Sequence, residues 1–349
     1  METINNQSQP SPEMILKIGM GFWGSKVMLA AVNFELFTLL AKNGKMPAAR
    51  IKSQLKLECT DRHFFDFLDT LTAFGFLNRD GLLETAVYSN GKDTDVFLDK
   101  NKPSYIGGIL EMANNRLYQF WGDLETGLKT GQPQNEIKSG AEHPFAELYK
   151  SPEKLHEFVN AMGGIQVGNF MAFAQTFDFS KYKTLVDVGG SGAILSIMVA
   201  KNQAHMSCTS FDLPPVEPIA KSNIAHAQQA GRVATAAGDF FSDTLPKADI
   251  VVMGNILHDW DEEKKVLLMK KAYDALPAGG AFVAIENVID ENRNRNVFGL
   301  LMSLNMLIET GKGFDYTFAD FNRWAKQVGF SNTAIMPLAG PASAVIAYK

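Results

Sequence analysis

The spacing of apolar positions changes character near residue 180. Upstream, apolar residues crowd into long runs with helical spacing. From Lys181 onward, short β-branched runs alternate with segments of helix length. That alternation predicts strands near 184–188, 207–212, 232–237, 249–254 and 281–288, with helices between them and further helices near 297–309 and 317–328. Strands alternating with helices imply a parallel sheet covered by helices on both faces. The ending breaks the pattern. Ala334–Leu338 and Ala344–Tyr348 read as two strands joined by Ala339-Gly340-Pro341-Ala342, so the chain closes on a hairpin and one strand must run antiparallel. That ending suits a methyltransferase sheet better than a dehydrogenase sheet.

The upstream part reads differently. Ser11-Pro12-Glu13 carries a capping serine, a first-turn proline and an acid at the positive dipole end, so it predicts a helix start. From there to Leu40 the chain is nearly all apolar, with Phe22, Trp23, Val27, Met28, Val32, Phe34 and Phe37. A helix apolar all round must be buried on all sides. So early in the chain this favours an interface between subunits, the alternative being burial within its own domain. Ala48–Leu55 and Asp61–Phe74 predict two more helices. Apolar runs on either side of Asn78-Arg79-Asp80-Gly81 predict a hairpin. Helix, helix and hairpin resemble a winged helix, but Asp61, Asp66 and Asp69 accompany a single Arg62 on the second helix, which argues for a structural role over DNA binding. Pro103–Phe179 is expected to be helical and is rich in Phe, Met, Tyr and Trp. Tyr118, Phe120, Trp121 and Met162 are candidates for an apolar substrate pocket, with plain core as the alternative.

Composition narrows the class. The 349 residues suffice for two domains and a large core. A formal net charge of −5 offers no broad basic surface to a nucleic acid. The 2 cysteines, Cys59 and Cys208, sit in apolar-rich contexts and read as free thiols in a reducing compartment. No uninterrupted apolar run approaches the length of a membrane span. Met1–Pro10 lacks the basic and apolar parts of a signal peptide and reads as a disordered leader. The expected protein is therefore a cytoplasmic enzyme with no nucleic-acid or membrane partner.

The chemistry gathers in the downstream half. Thr184–Val188 breaks into Gly189-Gly190-Ser191-Gly192-Ala193 before a helix, the opening of a nucleotide-binding βα unit. The next apolar run ends in Asp212, where a carboxylate that accepts from ribose hydroxyls belongs. His258 follows the run 249–254, at a strand end that should face the ligand crevice, and imidazole suits proton transfer near neutral pH. Glu286 lies at the end of the next run and is placed to orient it. Asp259, Asp261, Glu262 and Glu263 read as the acidic start of a helix, with Lys264 and Lys265 further along. The 6 histidines show no paired metal-ligand spacing, so no metal is expected.

Six stretches, in order, carry a resemblance: Leu185-Val186-Asp187-Val188-Gly189-Gly190, Phe211-Asp212-Leu213-Pro214, Gly238-Asp239-Phe240-Phe241, Ile256-Leu257-His258-Asp259-Trp260, Pro277-Ala278-Gly279-Gly280 and Phe321 to Phe330. The downstream half resembles the dimeric, metal-independent small-molecule O-methyltransferases, which include plant phenylpropanoid, acetylserotonin and bacterial antibiotic-tailoring enzymes. The upstream half matches that family in architecture alone.

The resemblance implies an α/β protein with a Rossmann-like methyltransferase sheet and a mostly helical dimerisation domain holding a winged-helix-like unit. Its implied boundaries are 1–102 for dimerisation, 103–180 for a helical connector and 181–349 for the catalytic domain. It implies a homodimer that methylates a hydroxyl of a small, partly apolar or aromatic molecule using S-adenosylmethionine, a sulfur, nitrogen or carbon acceptor being the alternative. His258 matches the general base, with Glu286 and Asp315 as acidic flankers. Asp187, Gly189, Gly190, Asp212, Leu213, Asp239, Phe240 and Asn255 fall at cofactor positions, and Tyr118, Trp121, Met162 and Met306 at the substrate pocket. Two departures stand out. Ser191 and Ala193 replace glycines of the family's turn and would carry strain if the backbone angles there are positive. Gly254 stands where plant relatives carry a lysine near the adenine.

Overall fold

In a computed structural model describing residues 10–139 and 151–349, the chain divides into two compact units, Met1–Arg116 and Leu117–Lys349. The leader expected at Met1–Gln9, and part of the helical expectation for 103–179, lie outside the described residues.

In the first unit, helix Asp61–Ala73 starts where the Thr60 side chain accepts from the His63 amide at 3.3 Å, and it buries Phe64, Phe65, Leu68 and Leu71 along one stripe. The stripe packs with Leu36, Phe37 and Leu40 of helix Leu36–Asn43 and Ile51 of helix Ala48–Gln54. Strands β1 (Met46–Pro47), β2 (Leu77–Asp80) and β3 (Val87–Asn90) form an antiparallel sheet in the order β1-β3-β2. The hairpin is longer than expected. Leu82-Leu83-Glu84 do not enter its second strand, because Thr85 Oγ bonds both the amide and the carbonyl of Leu82 and closes a helical turn over Leu83–Thr85. The acids of the second helix act within the unit: Asp69 accepts from the Tyr88 hydroxyl at 2.7 Å and faces Arg79 at 2.7 Å.

The segment from Ser11 to Leu40 departs from the expectation of one helix. It breaks into helices Glu13–Gly19, Gly21–Asn33 and Leu36–Asn43, the last break falling at Glu35, whose φ is +56°. Within the single chain its start is open, as an interface between subunits would leave it, with Ile15 75% and Ile18 73% exposed and Phe22 and Trp23 exposed beside them. Taken as one stretch, Glu13–Asn33 is long and apolar enough to cross a membrane by length and composition. Counting uninterrupted apolar residues missed this, because Lys17 and Lys26 divide the run. Cys59 is exposed rather than apolar-packed, whereas Cys208 is buried; both are free thiols.

The second unit is built on seven strands: β4 (Thr184–Val188), β5 (Ser207–Asp212), β6 (Val233–Ala237), β7 (Ile250–Gly254), β8 (Ala281–Glu286), β9 (Asn332–Pro337) and β10 (Ser343–Tyr348). Their order is β6-β5-β4-β7-β8-β10-β9. The first five run parallel, and β10 runs antiparallel to both neighbours. Every residue of β8 is buried, as a strand covered on both faces requires. One apolar layer joins β4, β5, β7 and β8 to helix Ile194–Asn202 and to Phe173 of helix Pro152–Thr176. The other packs Leu268, Met269 and Ala272 of helix Glu262–Ala275 and Phe321, Trp324 and Ala325 of helix Phe318–Val328 against the opposite face.

Candidate active site

The carboxyl ends of β4 to β8 bring the sequence candidates together, as an open parallel sheet should. After β4 the chain turns sharply. Gly189, at φ +69°, donates to Phe211 O at 2.8 Å, and the Ala193 amide reaches Gly190 O at 2.8 Å. A side chain at Gly189 would meet Ile256 Cδ1 at 2.3 Å, and one at Gly190 would meet Ser210 Oγ at 2.3 Å. Glycine is required at Gly189 by conformation as well as close approach, and at Gly190 by close approach alone. Ser191 (φ +50°) and Ala193 (φ +61°) do hold left-handed conformations, so the two replaced glycines carry backbone strain.

Asp212 sits beside this turn. Its Oδ2 accepts from the Ser191 amide at 2.8 Å and its Oδ1 from the Leu213 amide at 2.7 Å. Burial raises its pKa, and the two amides partly offset that rise. One lone pair on each oxygen remains for a further donor. Asp187 lies deeper, 3% exposed, with Oδ2 accepting from Ser196 Oγ at 3.2 Å. At the end of β6, Asp239 accepts from the Phe241 amide at 2.8 Å, and the Phe240 and Phe241 rings meet Trp260 edge-on. Asn255 follows β7 at φ +53°, a left-handed turn that redirects the chain toward His258. Phe170 of the long helix fills the space beside Gly254: a side chain there would meet its ring at 3.1 Å.

His258 lies in a single helical turn, Leu257–Asp259, and is 4% exposed. Its Nδ1 stands 3.5 Å from Asp315 Oδ2 and 3.8 Å from Glu286 Oε2, and its Nε2 stands 3.5 Å from Asp259 Oδ1. Glu286 Oε1 accepts from the Leu257 amide at 3.0 Å, which fixes the turn to the end of β8. The Asp315 amide donates to Ser303 Oγ at 3.2 Å, tying its loop to helix Val297–Glu309. One nitrogen of His258 and one oxygen each of Glu286 and Asp315 all lie within 4.8 Å of one another, a spacing that would admit a metal ion. Burial alone would lower the pKa of His258, but Glu286, Asp315 and Asp259 outweigh it and push the imidazole up to about 10. Burial in turn raises Glu286 to about 7 and Asp259 to about 6. The three carboxyl groups thus favour the protonated ring over the neutral one.

Two residues were misread in the sequence. Asp261 does cap helix Glu262–Ala275, accepting from the Lys264 amide at 3.0 Å, but Asp259 stands outside the helix start and turns to His258. Lys265 is fully buried rather than solvated. Its position was readable, since it lies on the same helical stripe as the buried Leu268, Met269 and Ala272.

The four pocket candidates are dispersed. Trp121 Nε1 donates to Asn305 Oδ1 at 2.8 Å, beside the buried Met306, on the helix that packs against the His258 turn. Met162 is half-buried next to Gly163, whose Cα faces Ile194 near the glycine turn, and Tyr118 is 36% exposed. A hollow lined by Thr184, Asp249, Leu276 and Pro277 lies at the opposite, amino ends of β4 and β7 and contains none of these groups.

A parallel sheet with one antiparallel strand, a glycine turn braced by a carboxylate and a buried proton-holding cluster define a Rossmann-like, S-adenosylmethionine-dependent methyltransferase. Residues 121–331 match the O-methyltransferase domain and residues 16–100 the O-methyltransferase dimerisation domain, so the chain belongs to the O-methyltransferase family. It is 34% identical over 339 residues to the tetracenomycin polyketide synthesis 8-O-methyl transferase of Streptomyces glaucescens, covering 97% of both chains. It is 30% identical to the 3-hydroxy-5-methyl-1-naphthoate 3-O-methyltransferase of Streptomyces sahachiroi, over 96% of this chain and 94% of that one. The crystal structure of human N-acetylserotonin methyltransferase in complex with S-adenosylmethionine superposes with a TM-score of 0.89 at 25% identity, covering 100% of this chain and 99% of that chain. The residues present fit the cofactor: the turn leaves no room for side chains at Gly189 and Gly190, and Asp212 is a half-buried carboxylate with accepting capacity to spare.

Proposed function

We propose that this enzyme methylates a hydroxyl of a small aromatic or partly apolar molecule, with His258 as the general base. The observation that carries the reading is the buried cluster of His258, Glu286 and Asp315, which stands at the same sheet edge as the glycine turn. The relative that methylates the 3-hydroxyl of 3-hydroxy-5-methyl-1-naphthoate supports an aromatic acceptor.

S-adenosylmethionine supplies an activated methyl whose leaving group is a neutral thioether. The chain's own residues do the rest. Asp212 holds the ribose hydroxyls, Asp239 and Phe240 flank the adenine, and Gly189, Gly190, Leu213 and Asn255 offer backbone. Asp187 shapes the floor of that site through Ser196. Trp121 and Met306 wall the acceptor side, with Tyr118 and Met162 at its margin. His258 removes the acceptor proton at Nε2, while Asp315 and Glu286 hold the ring from Nδ1 and stabilise the imidazolium that results. Because the surrounding carboxyl groups favour the protonated ring, the active fraction is the one that has lost this proton.

The exposed helices Glu13–Gly19 and Gly21–Asn33 support a homodimer, since the dimerisation match begins at residue 16. We assign 1–102 to dimerisation, 103–180 to a connector and 181–349 to catalysis; the match over 16–100 supports the first of these, while the match over 121–331 runs across the connector and the catalytic part alike. The free thiols of Cys59 and Cys208 support a reducing, cytoplasmic setting.

The test is methyl transfer from labelled S-adenosylmethionine to a panel of phenols, thiols and amines. Phenols should be preferred, and His258→Gln should lower kcat by about 10²–10⁴ with cofactor affinity nearly unchanged. Near-normal turnover in His258→Gln would reject the base role, and a preference for thiols or amines would reject the hydroxyl acceptor.

A further inference from the structure

Gly192 stands between the two left-handed residues of the turn after β4 and is itself buried. A side chain there would meet Asn223 Nδ2 at 2.8 Å and Val159 Cγ1 at 3.0 Å. Val159 belongs to helix Pro152–Thr176, and Asn223 to helix Glu217–His226, which buries Ala220 and Ile224 in the apolar layer of β5 and β6. The half-buried Asn223 side chain donates from Nδ2 to the Gly192 carbonyl at 3.0 Å. The amide of the same peptide group, that of Ala193, donates to Gly190 O at 2.8 Å. The peptide plane between Gly192 and Ala193 is thus held at both ends. Because that plane is rigid, its orientation sets the φ of Ala193, which is +61°. A left-handed alanine is strained, as is Ser191 at φ +50°, so the turn needs support from outside to keep this shape. Asp212 supports the Ser191 amide, and Asn223 supports the Gly192 carbonyl.

We propose that Asn223 is a positioning residue for the cofactor: its carboxamide holds the Gly192–Ala193 peptide in the orientation that keeps Ala193 left-handed, and so keeps the turn in the shape that receives S-adenosylmethionine. The inference rests on the reading that the cofactor lies against this turn. Without the carboxamide, a buried carbonyl loses its donor and Ala193 is free to relax toward an ordinary negative φ. The cofactor then has to restore the strained shape as it binds, and that cost appears as weaker affinity. Glycine at these positions, as in the family's turn, needs less of this support. Asn223 therefore offsets a strain that this chain's own Ser191 and Ala193 introduce. It acts through the backbone of the turn and takes no part in the proton transfer at His258.

The experiment measures the affinity of the full-length enzyme for S-adenosylmethionine and S-adenosylhomocysteine by calorimetry, and kcat at saturating cofactor with the best acceptor of the panel above. The variants are Asn223→Leu, which keeps the size and loses the donor, and Asn223→Asp, which sets an acceptor against the carbonyl. Each is made with Ala193 intact and with Ala193→Gly. With Ala193 intact, both should bind the two ligands about three- to tenfold more weakly. The effect should fall on affinity and not on kcat at saturating cofactor. In the Ala193→Gly background the loss should shrink to about twofold or less, because glycine holds the left-handed conformation without strain. Asn223→Asp serves alone if the leucine variant does not fold. Unchanged affinity with Ala193 intact overturns the proposal, even if kcat or the melting temperature falls, because a purely structural brace would do that. An equal loss with and without Ala193→Gly also overturns it, since the carboxamide then acts independently of the strained turn. If a folded Gly190→Ala variant binds the cofactor normally, it is the placement of the cofactor at this turn that has failed.

Discussion

At His258 the decisive fact is charge. Asp259 faces one ring nitrogen, and Asp315 and Glu286 face the other, so the ring holds its proton well above the ordinary histidine range. A raised pKa means that the neutral, proton-accepting form grows as pH rises. We expect kcat to climb through neutral into mildly alkaline pH, with its midpoint above the model-peptide value of about 6.5. Removing one negative charge weakens the hold on the proton. Glu286→Gln, Asp315→Asn or Asp259→Asn should each shift that midpoint downward, by on the order of one pH unit. Of the three, Asp259→Asn should disturb the ring's orientation least, because Asp315 and Glu286 still hold Nδ1. A midpoint unchanged in all three would show that another group controls the limb.

The element that matters most is the turn from β4 into helix Ile194–Asn202. Four of its five residues divide into two kinds. Gly189 and Gly190 are hemmed in by Ile256, Ser210 and the Asp187 backbone, so nothing larger fits. Ser191 and Ala193 bear side chains in conformations that favour glycine. The two kinds should respond oppositely. Gly190→Ala should destabilise by about 1–3 kcal/mol through overpacking and abolish cofactor binding. Ala193→Gly should relieve left-handed strain and raise the unfolding free energy by about 0.5–1 kcal/mol. Chemical denaturation with a cofactor titration checks both, and a destabilised Ala193→Gly would show that the strain is absorbed elsewhere.

For the whole molecule, the open question is what covers Ile15, Ile18, Phe22 and Trp23. A contiguous apolar face on a helix marks an interface. Glu13–Asn33 has the length of a membrane span, yet the family match to a dimerisation domain takes in most of it, which favours a second subunit. Light scattering should give about twice the chain mass of 38.4 kDa. The combined variant Ile15→Glu, Ile18→Glu, Trp23→Glu should give the single-chain mass. A wild-type sample at 38.4 kDa throughout the micromolar range would refute the dimer.

The sequence by itself determined the downstream architecture. Apolar runs of strand length, each ending in a chemistry-bearing residue, placed Gly189, Asp212, His258 and Glu286 at one sheet edge, because parallel strands all present the same end. Local chemistry also placed the acidic start of helix Glu262–Ala275 and the C-terminal hairpin. What only the tertiary structure decided were the relations between segments distant in the chain. The carboxylate of Asp315 meets His258 through the fold of the loop after helix Val297–Glu309, which no spacing encodes, although family resemblance pointed to it. Asp259 and Lys265 looked like ordinary helix-start charges, since neighbouring acids and lysines read as solvated until the packing around them is known. Phe314 and the Trp260 carbonyl are what turn Lys265 from a surface lysine into a buried cation. The apolar N-terminal segment, by contrast, already pointed to an interface between subunits in the sequence: its pattern states that a partner surface exists, and a single folded chain leaves that surface open.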